Sequence, residues 1–300
     1  MQTLSGKVAM VTGASRGAGR AIAVVLGEAG ATVYVTGRTV RGVAAVDNLP
    51  GTVDDTADEV TARGGRGIAV RCDHTKDIEV AALFDRVRTE CGQLDLLVNN
   101  AWGGYEGQTM GIPMKPFWEQ PREQWQSMFV AGVRAAMVTS QLAAPLMIGN
   151  DNSRSAASEP SPSPSLRGSG SAGGGLMVCT VAWAYDEYLR NLYYDVAKAA
   201  VIRMVRGMAH DLKPHGVAAV ALAPGFMRTE RILAAHAAHP FDLSWTESPE
   251  YLGRGVRALA EDADVMRRSG ELFTVGDLAR DYGFTDVDGK QPAAFRFPKQ

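Results

Sequence analysis

Short apolar runs rich in Val, Ile and Leu alternate along this chain with helix-length amphipathic stretches, and that alternation leaves few folds open to it. The candidate strands are Lys7–Val11, Thr32–Thr36, Gly67–Cys72, Leu94–Val98, Leu176–Cys179, Val217–Leu222 and Glu271–Val275. Between them lie helical patterns such as Arg20–Glu28, Ile78–Glu90 and Tyr194–Leu212. Strands that are apolar on both faces need helices on both sides, which predicts a parallel sheet rather than a hairpin stack. Three hundred residues with 46% hydrophobic content are enough for one large core. The reading is a single α/β domain over 1–300, a doubly wound Rossmann arrangement with a mainly parallel seven-stranded sheet. In such a sheet ligands sit at the carboxyl ends of the strands.

Charge narrows the partners. The net charge is −2, which offers no electrostatic case for nucleic acid or an acidic membrane. Cys72, Cys91 and Cys179 are odd in number and far apart, as expected of reduced thiols in a cytoplasmic protein. The run from Leu4 to Val11 leads directly into the first strand, so no leader is expected. No apolar stretch is expected to reach the ~20 residues of a membrane span. Residues 150–175 are mostly Ser, Gly, Pro, Ala and Asn and predict a flexible low-complexity insertion. A second long connection, Arg41–Gly51, lies at the carboxyl end of the second strand, where it would shape a nucleotide site.

Gly13, Gly17 and Gly19 follow the first apolar strand and open an apolar helix. Glycines there let the chain turn tightly and bring backbone N–H groups to a pyrophosphate at the helix N-terminus. An acidic residue at the end of the second strand would hold the ribose hydroxyls of NAD(H), but this chain reads Thr36-Gly37-Arg38-Thr39. Arg38 and Arg16 suit a 2′-phosphate, which favours NADP(H). Further along, Tyr194 and Lys198 are one helical turn apart and share a face. A buried ammonium beside a phenol favours the phenolate and lowers the Tyr pKa toward working pH, as an acid/base for hydride chemistry requires.

Taken together, Thr12-Gly13-x-x-x-Gly17-x-Gly19, Asp73, Asn99-Asn100-Ala101, Tyr194-x-x-x-Lys198 and Pro224-Gly225-x-x-x-Thr229 resemble the short-chain dehydrogenase/reductase family, in the family's order. Phe117-Trp118-Glu119, Trp125 and the stretch from Asp277 to Gly289 look like its dehydrogenase/reductase member 1 type. The resemblance implies that Ser15, Arg16, Gly17 and Ala18 wrap the pyrophosphate and that Asp73 accepts from the adenine. It implies that Asn99 and Ala101 border the adenosine ribose. Tyr194 would exchange a proton with the substrate oxygen, and Lys198 would hold the nicotinamide ribose. Pro224, Gly225 and Thr229 would seat the nicotinamide. A homodimer or homotetramer is implied as well.

Three positions depart from the family pattern. The family's Asn-Asn-Ala-Gly reads Asn99-Asn100-Ala101-Trp102, so an indole replaces a glycine and either packs against the lid or walls the substrate pocket. The relay Asn, counted from Trp125, falls on Gly132, and proton resupply would need another water path. The catalytic Ser falls on Val181 or Ala182 by an ungapped count from Tyr194, or on Thr180 if the loop is one residue longer. Loss of one such donor typically costs ~3–4 kcal/mol of transition-state stabilisation.

Residues 227–252 are expected to form a substrate lid. His236 and His239 in it lack a third ligand at suitable spacing, so no metal site is expected. With Trp102, Tyr105, Trp118 and Trp183 the pocket is expected to be aromatic and apolar, suited to a hydrophobic carbonyl or alcohol. Tyr185, Tyr188, Asn191 and Tyr193 lie beside it. The function expected is an NADP(H)-dependent oxidoreductase, with Tyr194, Lys198 and Thr180 catalytic. The second reading is a non-catalytic NADP(H)-binding sensor or scaffold.

Overall fold

A computed structural model describes residues 2–43, 49–106, 115–152, 174–183 and 188–295. Seven strands form one sheet in the order β3-β2-β1-β4-β5-β6-β7. They are β1 Val8–Thr12, β2 Thr32–Gly37, β3 Arg66–Arg71, β4 Leu96–Asn99, β5 Leu176–Thr180, β6 Ala218–Ala223 and β7 Leu272–Thr274. Every neighbouring pair is parallel. The order reverses between β1 and β4, which is the crevice where this architecture binds ligands.

The period of two along each strand divides the core. Ala9 and Val11 of β1 face one layer, with α1 (Gly17–Glu28), α2 (Val53–Ala62), α7 (Pro249–Glu261) and α8 (Val275–Tyr282). Val8 and Met10 face the other layer, with α3 (Asp77–Cys91), α4 (Ala135–Asn152) and α5 (Leu192–Leu212). The expected strands and helices therefore all appear, with shifts of a few residues at their ends.

Two local features bear on the site. Residues Trp125–Arg134 form a π-helix that runs on into α4, and such wide turns often mark functional positions. The combined helix Trp125–Gly149 spans 25 residues and contains an 18-residue window of mean hydropathy 1.2, so by length and composition alone it is apolar enough to cross a membrane. This corrects the expectation that no stretch reaches that length. A third of that window is buried in the fold, with Met128, Ala135, Ala143, Leu146 and Met147 packed inward.

The expected lid range divides in two. α6 (Glu230–Ala238) and the loop after it are half-exposed, whereas Tyr251 and Leu252 are fully buried in α7 against α1. Most of the expected insertion (153–173), the middle of the Arg41–Gly51 connection (44–48) and Tyr185 lie outside the described residues.

Candidate active site

The turn from β1 into α1 is built by close approach. Gly13 has φ +65°, and a Cβ on it would stand 2.8 Å from the Ala101 Cα. Gly17 has φ +55°, which disfavours any side chain. A Cβ on Gly19 would collide with the Gly13 carbonyl. Asn100, quoted in the motif but not singled out for a role, ties this turn to β4. Its Nδ2 donates to the carbonyls of Thr12 (3.0 Å) and Gly13 (3.2 Å). The N–H groups of Asn100 and Ala101 both donate to the Thr12 hydroxyl at 2.9 Å. Ser15 is buried, and Ala18 packs against the core.

The Gly17 N–H, at the N-terminus of α1, donates to the Glu230 carboxylate at 2.8 Å. Arg38 at the end of β2 pairs with Glu106. The chain's own carboxylates thus stand at both positions where the phosphates of a dinucleotide are expected. Anionic groups held on a helix N-terminal amide and on a guanidinium show that these residues fit such a cofactor. Arg16 reaches the start of the connection after β2 and its far end. Its Nε donates to the Pro50 carbonyl (2.9 Å), and its Nη2 donates to Gly51 (3.0 Å) and to the Thr39 hydroxyl (3.3 Å). Asp73 accepts from the Thr75 N–H (3.0 Å) and hydroxyl (2.7 Å). Burial works against its ionisation, but those bonds and the charges of Arg38 and Lys76 hold its carboxyl below the usual range.

The Asn99 side chain turns away from the glycine turn. It is buried, and its Nδ2 donates to Ser140 (2.8 Å) and toward Cys179 Sγ (3.7 Å), into the layer under α4. The alternation of β4 turns its side chain that way and leaves Asn100 facing the turn. Thr180 ends β5, and its hydroxyl reaches the Asn99 carbonyl and the Asn100 Oδ1, each at 3.4 Å. It braces the end of β4.

Tyr194 and Lys198 sit together in the first turns of α5. Helix entry is fixed by the Asn191 side chain, which caps the Tyr194 N–H at 2.9 Å. Gln120 accepts from the Leu192 N–H, and Gln124 accepts from Asn191 Nδ2. These supports were not legible in sequence, because they join segments about seventy residues apart. Lys198 Nζ lies 3.8 Å from the Trp102 ring centroid and 5.7 Å from that of Tyr194. Trp102 and Tyr194 meet edge to face at 5.5 Å, and the hydroxyls of Tyr105 and Tyr194 are hydrogen-bonded.

The electrostatics correct one expectation. Burial, followed by the neighbouring Tyr105, pushes the Tyr194 phenol well above its ordinary range rather than below it. Burial also brings Lys198 down to about 7. Desolvation of both groups outweighs their mutual help.

After β6, Pro224-Gly225 leads into the lid. The Gly225 N–H donates to Glu247 Oε1 at 2.9 Å. Glu247 is a buried acid that sequence reasoning missed, and burial pushes it up to about 7. Thr229 stands at the N-cap position of α6 without a side-chain capping bond, and its methyl lies 3.5 Å from where a Cβ on Gly17 would be. The loop after β6 and the turn after β1 therefore close on one crevice. Phe226, Trp245 and Phe295 stack beside Gly225, with ring centroids 5.0 and 6.0 Å apart. His236 packs on Phe241 within the lid, accepting its N–H at 3.2 Å.

A parallel sheet with a glycine turn at its switch point and a Tyr–Lys pair on the facing helix defines a class, and the comparisons agree with it. Residues 7–157 match the short chain dehydrogenase family model, and 169–264 match one described as enoyl-(acyl carrier protein) reductase. The chain is 36% identical to mouse dehydrogenase/reductase SDR family member 1, over 96% of this chain and 85% of that protein. It is 30% identical to the 7alpha-hydroxysteroid dehydrogenase of Escherichia coli K12, over 76% of this chain and 74% of that one. A crystal structure of hydroxysteroid dehydrogenase from Escherichia coli superposes with TM-score 0.68 at 27% identity, covering 91% of this chain and 96% of that one. This protein belongs to the short-chain dehydrogenase/reductase family and is an oxidoreductase of that class.

Proposed function

We propose that the protein is an NADP(H)-dependent carbonyl reductase acting on a hydrophobic aldehyde or ketone. The observation that carries this reading is the Tyr194–Lys198 pair at the mouth of the cofactor crevice, Lys198 buried and Tyr194 half-buried. Arg38 at the end of β2, where the strand itself ends without an acidic residue, supports the 2′-phosphorylated cofactor. The stack of Phe226, Trp245 and Phe295 supports an apolar substrate. The relative from Escherichia coli is named for a hydroxysteroid, a substrate of the same character.

The bound cofactor supplies a hydride for the carbonyl carbon. Tyr194 donates its phenolic proton to the carbonyl oxygen, so that the new alcohol carries both. A phenol held high is protonated at neutral pH, which suits reduction. The Lys198 ammonium stabilises the phenolate left behind and faces the ribose. Glu247 fixes the Gly225 turn beside the nicotinamide position. Thr180 serves as a brace, so the donor to the substrate oxygen is Tyr194. We place the protein in the cytoplasm as a homodimer or homotetramer.

The test is NADPH consumption across hydrophobic aldehydes, ketones, quinones and steroids, with Tyr194→Phe alongside. Turnover that falls about 10²–10⁴-fold in the variant supports the reading. Binding of NADPH without turnover by either protein would instead favour a sensor or scaffold.

A further inference from the structure

Two departures from the family pattern, an indole at 102 and a glycine at 132, meet in space. A Cβ built on Gly132 would stand 2.5 Å from Trp102 Cζ3 and 2.7 Å from Cε3. A Cβ on Gly104, at the other edge of the ring, would stand 2.6 Å from Cε2, Cζ2 and Nε1. The indole therefore lies in a slot between two glycines, and a rigid ring cannot give way to a side chain at 132. Any Asn there would need the volume that the indole fills.

The ring face does the rest. Lys198 is buried, and among the described residues no carboxylate pairs with it. Its ammonium lies over the indole at 3.8 Å, close to the optimum for a cation on an aromatic face. Among the described residues the buried Trp102 Nε1 has no hydrogen-bond partner, and the ring is held instead by its packing in the glycine slot and against the ammonium.

We propose that Trp102 is the positioning residue for Lys198, and that Trp102 and Gly132 form a coupled pair in which the indole, seated over the ammonium, fills the space that a side chain at 132 would need. The inference rests on the reductase reading only for the catalytic use of Lys198. The pairing places an aromatic face behind the Tyr194–Lys198 pair. Tyr194 is held by the same ring, edge to face.

The experiment uses the full chain labelled with ¹³C-lysine, in wild type, Trp102→Phe, Trp102→Gly, Gly132→Asn and the double variant Trp102→Gly/Gly132→Asn. In wild type the Lys198 ε resonance, assigned by its loss in Lys198→Met, is shifted upfield by the ring current. The shift is lost in Trp102→Gly and partly kept in Trp102→Phe. Gly132→Asn alone lowers the melting midpoint, and the double variant melts higher than the sum of the single effects. A Lys198 resonance indifferent to residue 102, or melting effects that simply add, overturns the pairing. If Trp102→Gly does not fold, the partial shift in Trp102→Phe decides. None of these readouts requires turnover. A protein that shows both signatures but oxidises no NADPH keeps the pairing and loses the reductase reading.

Discussion

The Glu230 carboxylate accepts the Gly17 N–H at 2.8 Å across 213 residues of sequence, joining the first residue of the lid helix to the turn that opens α1. A pyrophosphate drawn to the same helix N-terminus meets a carboxylate already in place. Replacing Glu230 by Gln removes that charge. We expect the NADPH dissociation constant to fall about three- to tenfold, consistent with the ~1 kcal/mol typical of a charge at a helix end. Fluorescence titration measures it, and unchanged or weaker binding would show that Glu230 does not compete.

In the proposed reading Arg38 discriminates between the two cofactors at the ribose. Its guanidinium is paired with Glu106, a contact that a 2′-phosphate would replace. Arg38→Ala should weaken NADPH binding about tenfold while leaving NADH nearly unaffected. Parallel titrations with the two cofactors check this, and an equal loss for both would assign Arg38 a structural role.

Lys198 makes stability depend on pH with a defined sign. Burial lowers its pKa from 10.5 to about 7 in the folded protein, among Trp102, Tyr194 and Cys179. Between those values the unfolded chain holds the extra proton, so stability rises with pH across the window. Below about 7 both states carry the charge and the burial cost is felt in full. Lys198→Met should therefore melt higher than wild type near pH 6, and the difference should shrink toward pH 10. The slope is on the order of 1.4 kcal/mol per pH unit at most. A constant difference from pH 7 to 10 would contradict it.

Glu247 titrates in the opposite sense. Burial raises its pKa from 4.5 to about 7, with Asp286 adding to the rise and Arg228 and the Gly225 N–H opposing it. The folded protein binds the extra proton between those values, so this group's contribution is present below about 4.5 and is lost as pH rises through 7. Glu247→Gln keeps an acceptor for the Gly225 N–H without the charge. It should match wild type near pH 4.5 and melt higher at pH 8, whereas Glu247→Ala should lose the turn's anchor and raise KM for the cofactor. Melting curves across pH for the three proteins decide the matter.

Much of this protein is determined by the order of its residues. The alternating apolar runs dictate a two-sided parallel sheet, because nothing else covers both faces of such strands. Gly13, Gly17 and Gly19 could be assigned to the turn, since two of them adopt a positive φ and the third leaves no room for a Cβ. Tyr194 and Lys198 could be paired because four residues make one turn of helix. What only the tertiary structure decided are contacts between distant segments. The braces of Gln120 and Gln124 on the start of α5, the Glu247 anchor on Gly225 and the Glu230 contact with Gly17 join residues that carry no mutual signal in sequence. The same holds for Trp102 and Gly132. Read along the chain they are two separate departures from a pattern, and packing shows that one occupies the volume the other leaves free. A local period specifies which face a side chain takes, but close packing in three dimensions decides which side chain fills a given space.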